Sequence, residues 1–184
     1  MKNLVLSDDF LPFSTQRLTL RRFADSDLEV FLAYRQDPEI GRYQSWFPLA
    51  REEGQAFIRE MQTGSIAKLG EWFQIAIADR FSNLLLGDIG IHFWAEQPNR
   101  VEVGFTLARQ AQGHGYAREA LGSLMTHLFA SGGVQTILGI TDSRHHRSIR
   151  LLEAVGMTLL REETVLFRGE VCREQTFVFT KSHP

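Results

Sequence analysis

A single cysteine, Cys172, stands among 184 residues. That excludes an intrachain disulfide framework and leaves no cysteine set for a zinc site. A reducing interior is the natural setting for such a chain. Long apolar runs are missing too: no stretch approaches the roughly 18–20 uncharged residues needed to span a bilayer. The brief apolar opening from Met1 to Phe13 is broken by Asp8 and Asp9, with no small-residue cleavage site after it. These absences predict a cytoplasmic protein with no leader and no membrane partner. Charge of one sign is not in excess either, since 20 basic residues face 22 acidic ones. No overall field therefore draws the molecule to nucleic acid. Repeats, low-complexity tracts and linkers are absent, and the length fits one domain over residues 1–184.

What is present is patterned apolar sequence. Arg17 to Arg22 alternates, with Leu18 and Leu20 on one side, which suits a half-buried strand. Asp25 is placed to cap a following helix, and Leu28, Phe31 and Leu32 recur at helical spacing until Asp37-Pro38 ends the pattern. An aromatic, irregular segment runs from Gly41 to Pro48, and an amphipathic helix from Arg51 to Gln62. Three β-rich stretches follow, Trp72–Ala78, Leu84–Phe93 and Arg100–Leu107, with turns short enough for an antiparallel meander. Ala117, Leu121, Leu124 and Leu128 then mark a helix from Tyr116 to Ala130. A strand over Val134–Ile140, a helix over Ser148–Val155 stopped by Gly156, and two strands joined at Arg168-Gly169 complete the chain. This order predicts a mixed α/β (α+β) sheet of about seven strands with about four helices packed on it.

The most informative stretch is Gln110-Ala111-Gln112-Gly113-His114-Gly115-Tyr116-Ala117, between a strand and the strongest helix. Glycines let a backbone turn its N–H groups into one concavity, and the helix start adds unpaired donors and the positive end of its dipole. A diphosphate suits that geometry. Turning the chain is the simpler role for two glycines. A Walker loop is excluded because Tyr116-Ala117 stands where Lys-Ser/Thr is required, and a dinucleotide fingerprint because Arg118 stands where Gly or Ala is required.

Gln110-x-x-Gly113-x-Gly115 resembles the acyl-CoA loop of the GNAT N-acetyltransferases. Wider stretches resemble the RimJ/RimL branch in family order: Thr15 to Arg21, Asp37-Pro38-Glu39, Glu102 to Phe105, Gly115 to Leu121, and Ser148 to Met157. The resemblance implies a GNAT-type, mostly antiparallel sheet splayed at its central strands to admit acetyl-CoA. It implies that the loop's N–H groups bind the pyrophosphate and that pantetheine lies between the Arg100–Leu107 and Val134–Ile140 strands. Phe105, Thr106, Leu107 and His145 then join the loop as coenzyme contacts. Two amides in pantetheine make a parting between strands chemically apt.

A thioester is attacked only by a neutral amine, and an alkyl amine near its reference pKa of about 10.4 is almost wholly protonated at neutral pH. A proton acceptor is useful. Glu102 is an unusual carboxylate between Val101 and Val103 in a strand, where burial would raise its pKa toward that task. Pointing to solvent is its plain alternative; the resemblance places an acidic residue here beside the acceptor and ranks Glu102 as base, directly or through water. Ser148 is the candidate donor to the departing thiolate, alongside a role capping its helix. An oxyanion donor is expected among the backbone N–H groups of Phe105 to Leu107. One departure stands out: His145 occupies the position, three before the serine, where the family usually has Asn. His145 and His146 are adjacent, and no carboxylate-rich set joins them, so no metal is expected.

The resemblance places the acceptor pocket beside the early helix-loop-helix, with Arg42, Tyr43, Trp46 and Phe47 as substrate contacts or ordinary loop packing. Trp94 and Phe167 sit in other connections that border the same cleft. The partner is an amine, either a protein N-terminus or a small molecule such as an aminoglycoside, polyamine or amino acid, handled by a monomer or homodimer. A strongly acidic pocket favours the small molecule and an open groove the peptide. From another class comes a noncatalytic acyl-CoA-binding module, motivated by His145.

Overall fold

The expected elements form, with ends shifted by up to two residues in β6 and α5, and with two additions. The computed structural model describes residue 6 and residues 10–181, so the reading of the opening residues as lacking a leader lies largely outside them. Strands β1 (Phe13–Ser14) and β2 (Leu18–Arg21) lead into helices α1 (Leu28–Arg35), α2 (Pro38–Gly41) and α3 (Arg51–Thr63). The meander is β3 (Trp72–Asp79), β4 (Leu85–Phe93) and β5 (Arg100–Leu107). Helix α4 (Tyr116–Ala130), β6 (Thr136–Asp142), α5 (His146–Ala154), β7 (Thr158–Phe167) and β8 (Glu170–Thr180) follow. Eight strands form one sheet in the order β1-β2-β3-β4-β5-β6-β8-β7. The eighth strand is β1, too short for alternation to reveal. The fifth helix is α2, a single turn that Asp37 caps by accepting from the Glu39 and Ile40 N–H groups.

Two expected caps differ. Asp25 opens a short 3-10 turn instead of capping α1. The organising carboxylate there is buried Asp27, which takes both Arg21 terminal nitrogens at 2.7 and 2.9 Å and the Ala24 N–H at 2.8 Å. Ser148 does not cap α5 either: His145 is the N-cap and Ser148 lies inside the first turn.

Every pairing in the sheet is antiparallel except that of β5 with β6. That parallel pair is short, joining Arg100–Val103 to Thr136–Gly139 only. Beyond it β5 stays paired with β4 as far as Leu107, and β6 with β8 as far as Asp142. The two central strands therefore part company after Val103 and Gly139, leaving a V-shaped gap. Leu121, Leu124 and Leu128 of α4 are fully buried, and at roughly 1.5–3 kcal/mol per buried leucine they hold that helix to the sheet. Helix α5 packs so closely on β6 that a Cβ at Gly139 would come within 2.6 Å of Leu152.

Candidate active site

The loop entering α4 has the backbone its sequence predicts. Gly113 and Gly115 lie at φ +82° and +79°, a region that other residues enter only with strain, and Gly115 is the N-cap of α4. No side chain caps that helix start, so its first N–H groups face the space in front of it. A Cβ at Gly113 would meet nothing within 4 Å. The cup is thus made of main chain and not filled by side chains.

In front of it lies a cleft of about 1110 Å³. Phe105, Thr106, Leu107, Gln112, Gly113, Gly115, Tyr116, Ala117, His145 and Ser148 all line it. Gln110 and His114 point to solvent and Ala111 is buried beneath the loop. Six arginines line the same cleft against one carboxylate, Glu39. Arg109 and Arg144 are matched by Asp37 and Asp142, both at 2.7 Å, whereas Arg42, Arg118, Arg147 and Arg150 have no ion-pair partner among the described residues. Sequence reading missed this wall, because a net charge near zero hides local segregation. Its signal was arginine clustering at the starts of α4 and α5.

The unpaired end of β5, Phe105 to Leu107, forms the inner end of the cleft. Gln44 donates to the Phe105 carbonyl at 3.3 Å and Gln112 to the Leu107 carbonyl at 3.1 Å. Strand alternation sends the N–H groups of Phe105 and Leu107 the same way, away from β4. An extended amide chain laid in the gap would find backbone donors and acceptors there. Main-chain cup, basic wall and unzipped strand edge together fit a coenzyme A thioester.

A second cavity of about 340 Å³ adjoins the cleft, lined by residues of both β5 and β6 where the strands part. Tyr43, Gln44, Phe105 and Thr106 line both cavities, so the two meet where the strands part. Tyr43 stacks on His145 at 4.6 Å between ring centres. Burial of His145 lowers its pKa, which keeps the imidazole neutral at pH 7. Of the other loop residues, Trp46 lines the second cavity, Arg42 the first, and Phe47 neither. Phe47 is 66% exposed and sits beneath the Arg168 guanidinium at 4.7 Å. Arg168 also donates to the Gly41 and Trp46 carbonyls, pinning the β7–β8 turn onto that loop. Phe167 lines the second cavity; Trp94 does not.

Glu102 lines the second cavity, opposite His92 in the β4–β5 register. Burial raises its pKa, against the pull of His92, whose Nδ1 is 3.9 Å from Glu102 Oε2, and of the nearby Trp94 indole. His92 in turn stacks on Trp72 at 5.2 Å. Ser148 is 6% exposed, and its hydroxyl bonds to no described residue. Arg35, Trp72, Asp88 and Glu174 also line this cavity and were not anticipated. Only tertiary folding brings α1, β3, β4 and β8 to one spot.

The Acetyltransferase (GNAT) domain family matches residues 17–158 of the chain. The uncharacterized N-acetyltransferase p20 of Bacillus licheniformis is 27% identical over 141 residues, 77% of this chain and 79% of that one. The structure is similar to a GNAT-family acetyltransferase from Bacillus anthracis, with a TM-score of 0.81 and 20% identity over 92% of this chain and 98% of that one. A Vibrio cholerae protein assigned as a ribosomal-protein-serine acetyltransferase gives a TM-score of 0.76 and 22% identity, covering 93% and 98%.

Proposed function

The chain belongs to the GNAT acetyltransferase family, and on that footing we propose that it moves the acetyl group of acetyl-CoA onto a primary amine held in the smaller cavity, with Glu102 as base. It is an acyltransferase that uses acetyl-CoA as donor. The observation that carries the proposal is the junction of the two cavities at Tyr43, Gln44, Phe105 and Thr106. A donor in the larger cavity and an acceptor in the smaller meet only there.

In this reading acetyl-CoA supplies the activated acyl carbon, and the protein does the rest. The glycine loop and the arginine wall bind the phosphates. Phe105 and Leu107 hold the extended arm through backbone hydrogen bonds, and an N–H of this strand faces the developing oxyanion. Glu102 takes the proton of the entering ammonium, directly or through water, so that nitrogen bonds to the acyl carbon with its lone pair free. The C–S bond then breaks, the nitrogen gives up its second proton, and the departing thiolate, held by a hydrogen bond from Ser148, takes that proton up as the thiol. His145 presents a neutral ring beside it, stacked on Tyr43, where the family usually has an amide.

The cavity size and its carboxylates favour a small amine. A protein N-terminal amine is the second reading, supported by the likeness to the Vibrio cholerae protein. Thiol release measured with an amine panel, for wild type and Glu102→Gln, tests the proposal. Amine-dependent release that drops about 100-fold in the variant is expected. Tight acetyl-CoA binding without release for any amine would instead indicate a noncatalytic binding module.

A further inference from the structure

The floor of the smaller cavity holds a guanidinium with more donors than partners. Arg35 of α1 lines that cavity and is 4% exposed. Its one hydrogen bond runs from Nη2 to Asp88 Oδ2 at 3.3 Å, an oxygen that already accepts the Tyr34 hydroxyl at 2.5 Å. Nε is buried with no partner. Rings surround the group: its carbon lies 4.5 Å from the Trp46 ring centre, 5.0 Å from Phe31 and 5.6 Å from Phe57. Boxed in this way, the guanidinium has little room to turn and faces the cavity. A planar fork of five N–H donors this far buried calls for an acceptor, and beyond Asp88 no described residue supplies one.

Charge decides what kind of acceptor fits. Asp88 balances Arg35, and Asp142 is balanced by Arg144. Glu102 and Glu174 remain on the same cavity wall, and no arginine or lysine among the described residues pairs with either. Burial raises the pKa of both. A ligand carboxylate would enter this negative field at a cost, whereas a neutral oxygen would not.

We infer that the acceptor carries, besides its amine, a neutral carbonyl oxygen that Arg35 receives while the amine faces Glu102. This rests on the amine-acetylation reading above and names the substrate class within it: α-amino amides, including the first residue of a peptide. The oxygen would complete the fork that Asp88 leaves open, and the aromatic walls would flank the carbon between the two polar ends.

The test compares glycinamide, glycine and isobutylamine, which are close in shape, by kcat/KM expressed per neutral amine. Glycinamide is expected to exceed both others by about tenfold or more, since a site built to bond an oxygen rejects an analogue lacking it. Triglycine is a fourth substrate; its rate against glycinamide tells a peptide source from a small-molecule one, and either ranking supports the inference. Arg35→Lys keeps a cation beside Asp88 but removes the fork, and should erase the preference while acetyl-CoA affinity stays. If that variant does not fold, the wild-type ranking decides. Isobutylamine or glycine matching glycinamide overturns the inference alone. No thiol release with any amine overturns the acetylation reading itself.

Discussion

Glu119 on α4 and Arg17 at the entry to β2 clasp each other through two bonds. The carboxylate accepts the Arg17 backbone N–H at 2.8 Å and its Nε at 2.7 Å, and takes the Thr15 hydroxyl at 2.6 Å as well. Arg17 meanwhile donates Nη1 to the His114 carbonyl at 3.0 Å, and its guanidinium carbon lies 4.7 Å from the Tyr116 ring centre. One ion pair thereby ties strand, helix and glycine loop together across about a hundred residues of sequence.

Glu119→Ala should cost about 1.5–3 kcal/mol of stability, the range for hydrogen bonds to a charged group. It should also weaken acetyl-CoA binding, because the loop loses the anchor at His114. Denaturant melts and calorimetric titration check both. Burial pushes the Glu119 carboxyl up, but the Thr15 and Arg17 bonds outweigh it and leave its pKa below the ordinary value of 4.5. A depressed carboxylate contributes stability above its unfolded pKa and loses it as pH falls through the folded one. Wild type should therefore lose more stability than Glu119→Gln on acidification below about pH 4.5.

Glu102 carries the opposite sign. Its folded pKa is raised, so the ionised form present at neutral pH is strained and the residue detracts from stability there. Glu102→Gln should melt higher than wild type at pH 7 while losing about 100-fold in kcat. In wild type kcat/KM should climb as pH rises through the elevated carboxyl pKa, and that limb should vanish in the variant. A variant that melts lower and keeps the limb would remove Glu102 from the mechanism.

Gly113 and Gly115 separate backbone strain from crowding. Alanine at either position is forced into a left-handed conformation costing about 1–2 kcal/mol, yet neither Cβ meets an obstacle closer than 3.5 Å. Both alanine variants should fold with lower melting temperatures. Gly115→Glu should in addition abolish acetyl-CoA binding by placing a negative charge at the mouth of the cup. Unchanged affinity in a titration would displace the coenzyme from this loop.

Tyr43 lies between the cavities, and Tyr43→Ala should raise KM for both substrates. An aromatic pair contributes about 0.5–1.5 kcal/mol beyond area burial, so a several-fold effect on each is expected. Tyr43→Phe keeps the stack on His145 and should behave like wild type. Initial-rate kinetics with each substrate varied in turn makes the comparison.

Much of this architecture was legible in local pattern. Alternation around Leu18 and Leu20, helical spacing from Ala117 to Leu128, and the Arg168-Gly169 turn each specify their elements, because period and turn chemistry act over a few residues. The glycine loop was legible for the same reason, since positive φ is a local demand. The cap readings at Asp25 and Ser148 failed because a polar residue near a helix start has several nearby partners, and tertiary packing chose Asp27 and His145 instead. Phe47 was indistinguishable from Trp46 in an irregular loop; which ring turns inward depends on Arg35 below and Arg168 above.

By itself, then, the order of residues determined most of the elements, the glycine loop and the family. The tertiary structure alone decided that β5 and β6 separate after four paired residues and that a cavity opens beyond them. It also decided that Arg35, Glu102 and Glu174, from three distant elements, line one cavity. Local pattern records how a segment meets its own neighbours, whereas charge balance and unmet hydrogen bonds in a pocket are sums over segments that meet only when the chain is folded.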